Sequence, residues 1–257
     1  MAELFMAGLS PVEFWAAVAV TLFAGLIKGA LGFAMPMIMI SALSSYMPVE
    51  LALAGLILPT LFTNLSQALR QGLPAALGST RHYWRMLLAL VVMLLLSAQL
   101  LGFLSQRMLL AILGGPIVIF AALQLFQVPL TLPVTKRRRA EWLSGAVGGL
   151  YGGVSGVWGP PVMIYLLSVD TAKRDMVRIL GVVFLIGAVT LVIGHSISGV
   201  MDQRGWLFSA ALIAPGMIGL WVGYLVQDRL NAARFRRWTL IMLMLTGANL
   251  LRQALGL

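Results

Sequence analysis

Six stretches of this chain, residues 51–69, 86–106, 108–126, 179–201, 206–227 and 238–251, contain no Asp, Glu, Lys or Arg. As helices rising about 1.5 Å per residue, most are long enough to cross the roughly 30 Å apolar core of a bilayer. The last extends to residue 257 past Arg252, whose apolar stem lets its charge reach the interface. In lipid every backbone amide must find its partner inside the protein, and a helix supplies that partner locally. Composition agrees: 60% of residues are hydrophobic and 10% charged, against about 45–50% and 25% in a soluble domain. A soluble fold is excluded, and the chain reads as an all-α polytopic membrane protein whose standing partner is the lipid bilayer.

Two further apolar stretches are broken. Residues 12–46 are interrupted by Lys28 and by glycines. Residues 142–169 are uncharged but carry Gly148, Gly149, Gly152, Gly153, Gly156, Gly159, Pro160 and Pro161 near their middle. Neither suits one straight helix. Treating each as a pair of arms that enters and returns places fourteen of the eighteen basic residues on one face: Arg70, Arg81, Arg85, Lys136 to Arg139, Lys173, Arg174, Arg178, Arg229, Arg234, Arg236 and Arg237. Arg107, Arg204 and Arg252 fall on the other face, and Lys28 at the turn of the first pair. The positive-inside rule makes the rich face cytoplasmic and puts both termini outside. The second pair is expected to be a re-entrant hairpin; for the first, a hairpin and a broken pair that crosses fully are both open. The net charge of +10 is therefore a topology signal, and nucleic acid is not an expected partner. The start of the chain carries Glu3 and Glu13 and no base before Lys28, unlike a cleavable signal peptide, so the first segment is expected to remain.

The chain also repeats itself. Gly25, Leu26, Gly29, Gly32, Pro36 and Met39 recur 124 positions later as Gly149, Leu150, Gly153, Gly156, Pro160 and Met163. A second echo pairs Gly102-Phe103-Leu104-Ser105-Gln106 with Gly223-Tyr224-Leu225-Val226-Gln227 at an offset of 121. Two repeats follow. Residues 1–126 hold the pair 12–46 and spans 51–69, 86–106 and 108–126. A basic linker, 127–141, leads to residues 142–257, with the pair 142–169 and spans 179–201, 206–227 and 238–257. That makes about ten helical segments. Three spans per repeat is an odd number, so the second repeat is expected to be inverted, with the two glycine-rich turns approaching the bilayer centre in the manner of alternating-access proteins.

At a helix break, free N–H groups and the positive end of the next helix attract an anion. Glycine lets the backbone approach it. The expected substrate site is therefore made of Lys28, Gly29, Gly32 and Phe33 at the first break and Gly153, Ser155, Gly156 and Trp158 at the second, with Asn64 from the next span. Ser155 offers a hydroxyl and Trp158 an indole N–H. The competing reading is close packing, since Gly25 with Gly29 and Gly149 with Gly153 have small-xxx-small spacing. Lys28 either sits deep, as a point charge for an anionic substrate, or lies at the cytoplasmic interface. Asn64 and Gln67, near Thr60 and Thr63, either line the path or join helices by hydrogen bonds. His195 is expected to make an interfacial hydrogen bond, and His82 to need no special role.

The eight acids, Glu3, Glu13, Glu50, Glu141, Asp170, Asp175, Asp202 and Asp228, fall in expected loops or at segment ends. No buried carboxylate is then available to carry a proton or sodium, and outward movement of an anion needs none, because a negative interior contributes about 2.3 kcal/mol per charge per 100 mV. There is no cysteine and there are two histidines, so neither a cofactor nor a metal is implied. An intramembrane enzyme has little to work with beyond Ser155 and a distant His195, and an accessory subunit has no soluble docking domain. Gly219 and Gly223 leave room for a homodimer.

Gly25-Leu26-Ile27-Lys28-Gly29-Ala30-Leu31-Gly32-Phe33-Ala34-Met35-Pro36 and Gly148-Gly149-Leu150-Tyr151-Gly152-Gly153-Val154-Ser155-Gly156-Val157-Trp158-Gly159-Pro160-Pro161 resemble the duplicated motifs of the TauE/SafE family of membrane anion transporters. Length, hydropathy and the two-half organisation extend the resemblance over nearly the whole chain. It implies transport, commonly export, of small sulfur-containing anions such as sulfite, sulfoacetate or other organosulfonates across a bacterial inner membrane. The lysine of the first motif looks like that of a subset of relatives. Ala34 stands where many relatives carry another glycine.

Overall fold

The structure is a computed structural model and describes residues 5–129, 131, 135–226 and 232–256, with the side chains of 173, 174, 177, 226 and 232–236 excepted. Arg229 and Asp228 therefore lie outside the described residues, as do the side chains of Lys173, Arg174, Arg234 and Arg236. Regular structure is helical throughout the described residues. In chain order the helices are α1 Pro11–Leu31, α2 Met35–Leu43, α3 Val49–Leu69, α4 Leu73–His82, α5 Trp84–Ala98, a 3-10 turn at Leu101–Phe103, α6 Gln106–Leu125, α7 Arg137–Ser155, α8 Gly159–Ser168, α9 Lys173–Ile197, α10 Gln203–Ala211, α11 Ile213–Val226 and α12 Ala232–Leu255.

Six helical segments are long and apolar enough to cross a membrane: Pro11–Leu31, Val49–Leu69, Trp84–Phe103, Gln106–Leu125, Arg178–Ile197 and Gln203–Leu225. The protein is a multi-pass membrane protein. Five of these coincide with uncharged runs of the sequence. The sixth is the first arm of the first broken stretch, 21 residues long, and the run at 238–251 is not among the six. That run is helical, but it lies inside α12, whose first turns carry Arg234, Arg236 and Arg237. Three local departures have plain causes. Gly72 with φ +87 and Pro74 near the helix start open an additional helix, α4, before the next span. Leu212 separates α10 from α11 within the run expected at 206–227. Arg137 to Glu141, expected in the linker, already form the start of α7.

The broken stretches are each a helix, a short turn and a second helix. Ser10 and Glu13 close a capping box at the start of α1, with Pro11 in the first turn. α1 stops at Gly32 (φ 83°) and α7 at Gly156 (φ 71°), both left-handed, where a glycine carries no steric penalty. In both turns the glycine N–H bonds the carbonyl four residues back, Lys28 and Gly152, at 2.7 Å. The ends of α1 and α7, the starts of α2 and α8 and the starts of α3 and α9 are each 124 residues apart, so the offset of the first glycine echo governs whole helices. The second echo does not: Gly102 sits in the 3-10 turn, while Gly223 lies inside α11.

Compactness divides the chain differently from the repeat. One unit holds Met1–Thr63, Phe103–Val128 and Gly199–Leu257; the other holds Asn64–Gly102 and Pro129–Ser198. In the first unit α1 packs on α11. A Cβ on Gly25 would collide with the Gly216 carbonyl and one on Gly29 with the Leu220 carbonyl, while Gly219 and Gly223 meet the carbonyls of Leu22 and Leu26. In the second unit α7 packs on α5, with Gly145, Gly149 and Gly153 set against the carbonyls of Met86, Leu90 and Leu94. Each first arm thus lies backbone to backbone on a helix from the other half of the sequence, which is what small residues every four positions allow. Gly219 and Gly223 are engaged within the subunit, which corrects the reading that left them free for a second copy.

Both pairs return. In the second unit, Arg137 at the start of α7 and Val169, Asp170, Thr171, Ala172 and Asp175 after α8 line one cleft. In the first, burial and then the Glu13 carboxylate at the start of α1 push the Tyr46 hydroxyl, just past α2, up to about 12.

Candidate functional site

At the first break, Lys28 lies one turn before Gly32 and is 1% exposed. Its Nζ donates to Thr63 Oγ1 at 2.9 Å, and that hydroxyl donates in turn to the Pro59 carbonyl at 2.7 Å. Met35, the first residue of α2, places its sulfur 3.5 Å from the same hydroxyl. Gly29 is a packing residue against α11, and Gly32 supplies the left-handed turn. Phe33 is half-buried in the turn. Ala34 follows it with φ 79° and ψ −14°, a left-handed conformation that an alanine adopts at a cost. No side chain caps the start of α2. A buried ammonium and an uncapped helix N-terminus therefore share one turn of chain.

At the second break, Trp158 fills the space. Its ring lies on two glycines: a Cβ at Gly152 would sit 3.0 Å from the Trp158 Cβ, and one at Gly187 would sit 2.6 Å from Nε1. The edge of Phe184 meets the indole, with centroids 6.4 Å apart. The buried indole Nε1 has no hydrogen-bond partner among the described residues, an unusual state for a donor of this kind. The Ser155 hydroxyl is engaged at the break itself. It donates to the Tyr151 carbonyl at 2.7 Å and accepts from the Val157 N–H at 3.0 Å, which fixes the turn. Gly156 supplies the left-handed residue, and Gly153 packs against α5. The start of α8 also lacks a side-chain cap.

Asn64 belongs to the second unit. Its Nδ2 donates to the Phe184 carbonyl at 2.9 Å, joining α3 to α9; Gln67 lies on the same interface, where Gly181 meets the backbone of Gln67 and Ala68. Of the expected site residues, Lys28, Gly29, Gly32 and Phe33 therefore fall in the first unit, and Asn64, Gly153, Ser155, Gly156 and Trp158 in the second.

His195, in the last turn of α9, is fully buried, with its ring beside the Gly153 backbone and Nδ1 3.4 Å from Ser198 Oγ. Two residues depart from the sequence reading. Glu141, assigned to a segment end, is 5% exposed and pairs with Arg85 at 3.7 Å. It lies in the second turn of α7, fourteen positions before Ser155, so this buried carboxylate is remote from the break. Thr63, named only as a neighbour of Asn64, is the observed partner of Lys28. The repeat held the clue, because Thr63 and Gly187 are 124 residues apart and each faces its own break.

Hairpins broken at left-handed glycines, with a lysine buried beside one of them, are the equipment of a membrane transport protein, in which irregular backbone and intramembrane charge mark the solute's path. Comparison with known families makes this particular: the model of the sulfite exporter TauE/SafE family matches residues 17–250. The chain belongs to that family of membrane transporters for sulfur anions such as sulfite. No curated protein and no solved structure matches the chain.

Proposed function

We propose that the protein carries sulfite or a small organosulfonate such as sulfoacetate outward across the bacterial inner membrane, with the anion held at the first helix break. The observation that carries this reading is Lys28, buried beside the uncapped start of α2. Lys28 is fifteen residues beyond Glu13, about 22 Å along α1. With Glu13 at one interface, its charge lies inside a core of about 30 Å, nearer the opposite face. An ammonium kept there has an anion as its natural ligand, and the amides at the start of α2 supply directional donors beside it. Thr63 orients Nζ. At the second break the Trp158 indole N–H is a neutral donor, so the first break is the stronger anion site.

Direction follows from charge. With the base-rich face inside and both termini outside, the anion leaves down the membrane potential, and export needs no co-transported ion.

The test is efflux from proteoliposomes loaded with sulfite or sulfoacetate under an imposed inside-negative potential. Wild type is expected to release the sulfur anion faster than acetate. Lys28→Met is expected to lose at least about tenfold in apparent affinity, the scale of one charge-assisted hydrogen bond, while eluting as a folded protein. Wild-type efflux by the methionine variant would remove Lys28 from the site.

A further inference from the structure

The second unit holds a cleft of about 560 Å³ at the open end of its hairpin, away from the break. Its walls come from α4, from the start of α7, from the turn between α8 and α9 and from the start of α9. It has two guanidiniums, Arg137 and Arg178, and two carboxylates, Asp170 and Asp175. One pair is already closed. Arg178 Nη2 is 2.9 Å from Asp175 Oδ1, and its Nε donates to Ser79 Oγ at 3.0 Å. Arg178 and Asp175 are thereby parts of the wall.

Arg137 and Asp170 are different. Both are exposed to the cleft's solvent, and among the described residues neither makes an ion pair. The guanidinium of Arg137 stands beside the hydroxyls of Tyr165 and Tyr83, which steady it at the cleft wall. Asp170 is held in a left-handed turn, φ 55°, by backbone bonding of the α8 end. Among the described lining residues two guanidiniums are matched by two carboxylates, so a bare dianion is not favoured, because the carboxylates oppose it. Arg137 and Asp170 match a ligand that carries both signs.

We propose that this cleft binds a zwitterionic head, an oxyanion and an ammonium a few bonds apart, with its sulfonate or phosphate on Arg137 and its ammonium on Asp170. A guanidinium takes such oxyanions in bidentate fashion. The head belongs either to a free aminoalkyl sulfonate or phosphate ester or to an ethanolamine phospholipid. Either occupant bridges the start of α7 and the turn after α8, and so holds the two ends of the hairpin together. The proposal does not depend on the anion site at Lys28.

The experiment is calorimetric titration of the purified full-length protein with O-phosphoethanolamine and 2-aminoethanesulfonate, and with the half-ligands ethanesulfonate and ethylamine. Both zwitterions are expected to bind, and each half-ligand at least about tenfold more weakly. Arg137→Gln and Asp170→Asn are each expected to cost about tenfold. Every titration is made on the Lys28→Met background, in which the proposed organosulfonate site at the break is removed, so that the heat reports the cleft alone. Equal binding of ethanesulfonate and 2-aminoethanesulfonate, or full affinity in both cleft variants, overturns the proposal. Asp170 is exposed, so Asp170→Asn remains informative where Arg137→Gln does not fold. Nanodiscs identify the source of the head. Loss of phosphoethanolamine binding in phosphatidylethanolamine discs but not in phosphatidylglycerol discs assigns the cleft to the lipid; retention in both assigns it to the free solute.

Discussion

The two helix breaks have one backbone plan and opposite fillings. Positions 28, 34 and 63 at the first break correspond, at the offset of 124, to 152, 158 and 187 at the second. The first set is Lys, Ala and Thr; the second is Gly, Trp and Gly. At the first break the long lysine side chain reaches the threonine hydroxyl while the residue in the turn is small. At the second the turn residue is an indole, and the two positions facing it have been reduced to glycine to admit it. Volume lost at two positions is regained at the third. The left-handed glycine, the bond to the carbonyl four residues back and the uncapped return helix persist in both. A duplicated scaffold thus keeps what makes the break and varies what fills it, and the formal charge is concentrated at one break.

The sharpest way to break this comparison is to empty the second site. Trp158→Ala removes an indole that is 2% exposed and rests on glycines, which have no side chains to move into the space. The expected loss is about 3–5 kcal/mol, the range for a large buried aromatic, read as a fall in the thermal or denaturant midpoint in detergent. A loss below 1 kcal/mol would mean that the indole is not the filling of the break. The corresponding probe of the first site is smaller and of another kind. Thr63→Val keeps the shape and removes the acceptor for Lys28 Nζ, for an expected cost of about 1.5–3 kcal/mol, as for a hydrogen bond to a charged group. It should also weaken sulfur-anion binding, since Nζ loses its orientation, whereas Trp158→Ala acts first on stability. An anion affinity unchanged in Thr63→Val would separate the lysine's packing from its proposed task.

What the sequence revealed follows from which forces are local. The apolar runs, the left-handed glycines and the return of α2 and α8 were legible because helix length, φ preference and the distribution of bases are properties of short segments. The partners of those segments were not. Nothing near Gly25 or Gly29 says that they meet α11, nearly two hundred residues away, and nothing near Gly149 selects α5. Small-residue spacing announces a close approach without naming the other helix. Asn64 and Thr63 show the same limit at single residues: they are neighbours in α3, yet one bonds Phe184 and the other Lys28. The burial of Glu141 was hidden in the same way, because a position at a segment end does not say which helix covers it. α7 begins with an exposed turn at Arg137 and buries Glu141 only in its second turn, where it meets Arg85 of α5.

The finest difference between the breaks is in the backbone itself. Trp158 has φ −117°, an ordinary value, whereas its counterpart Ala34 has φ 79°. A left-handed alanine costs roughly 1–2 kcal/mol, and glycine removes that cost while adding about 0.4–1 kcal/mol of unfolded-chain entropy. Ala34→Gly is therefore expected to stabilise the protein by up to about 1 kcal/mol, visible as a small rise in the thermal midpoint. Ala34→Val should do the reverse, because a β-branched residue tolerates positive φ least. Because Ala34 is buried, its methyl also has packing to lose. A fall in stability in Ala34→Gly would show that this contact outweighs the strain, and that the first break is held as much by its small filling as the second is by its large one.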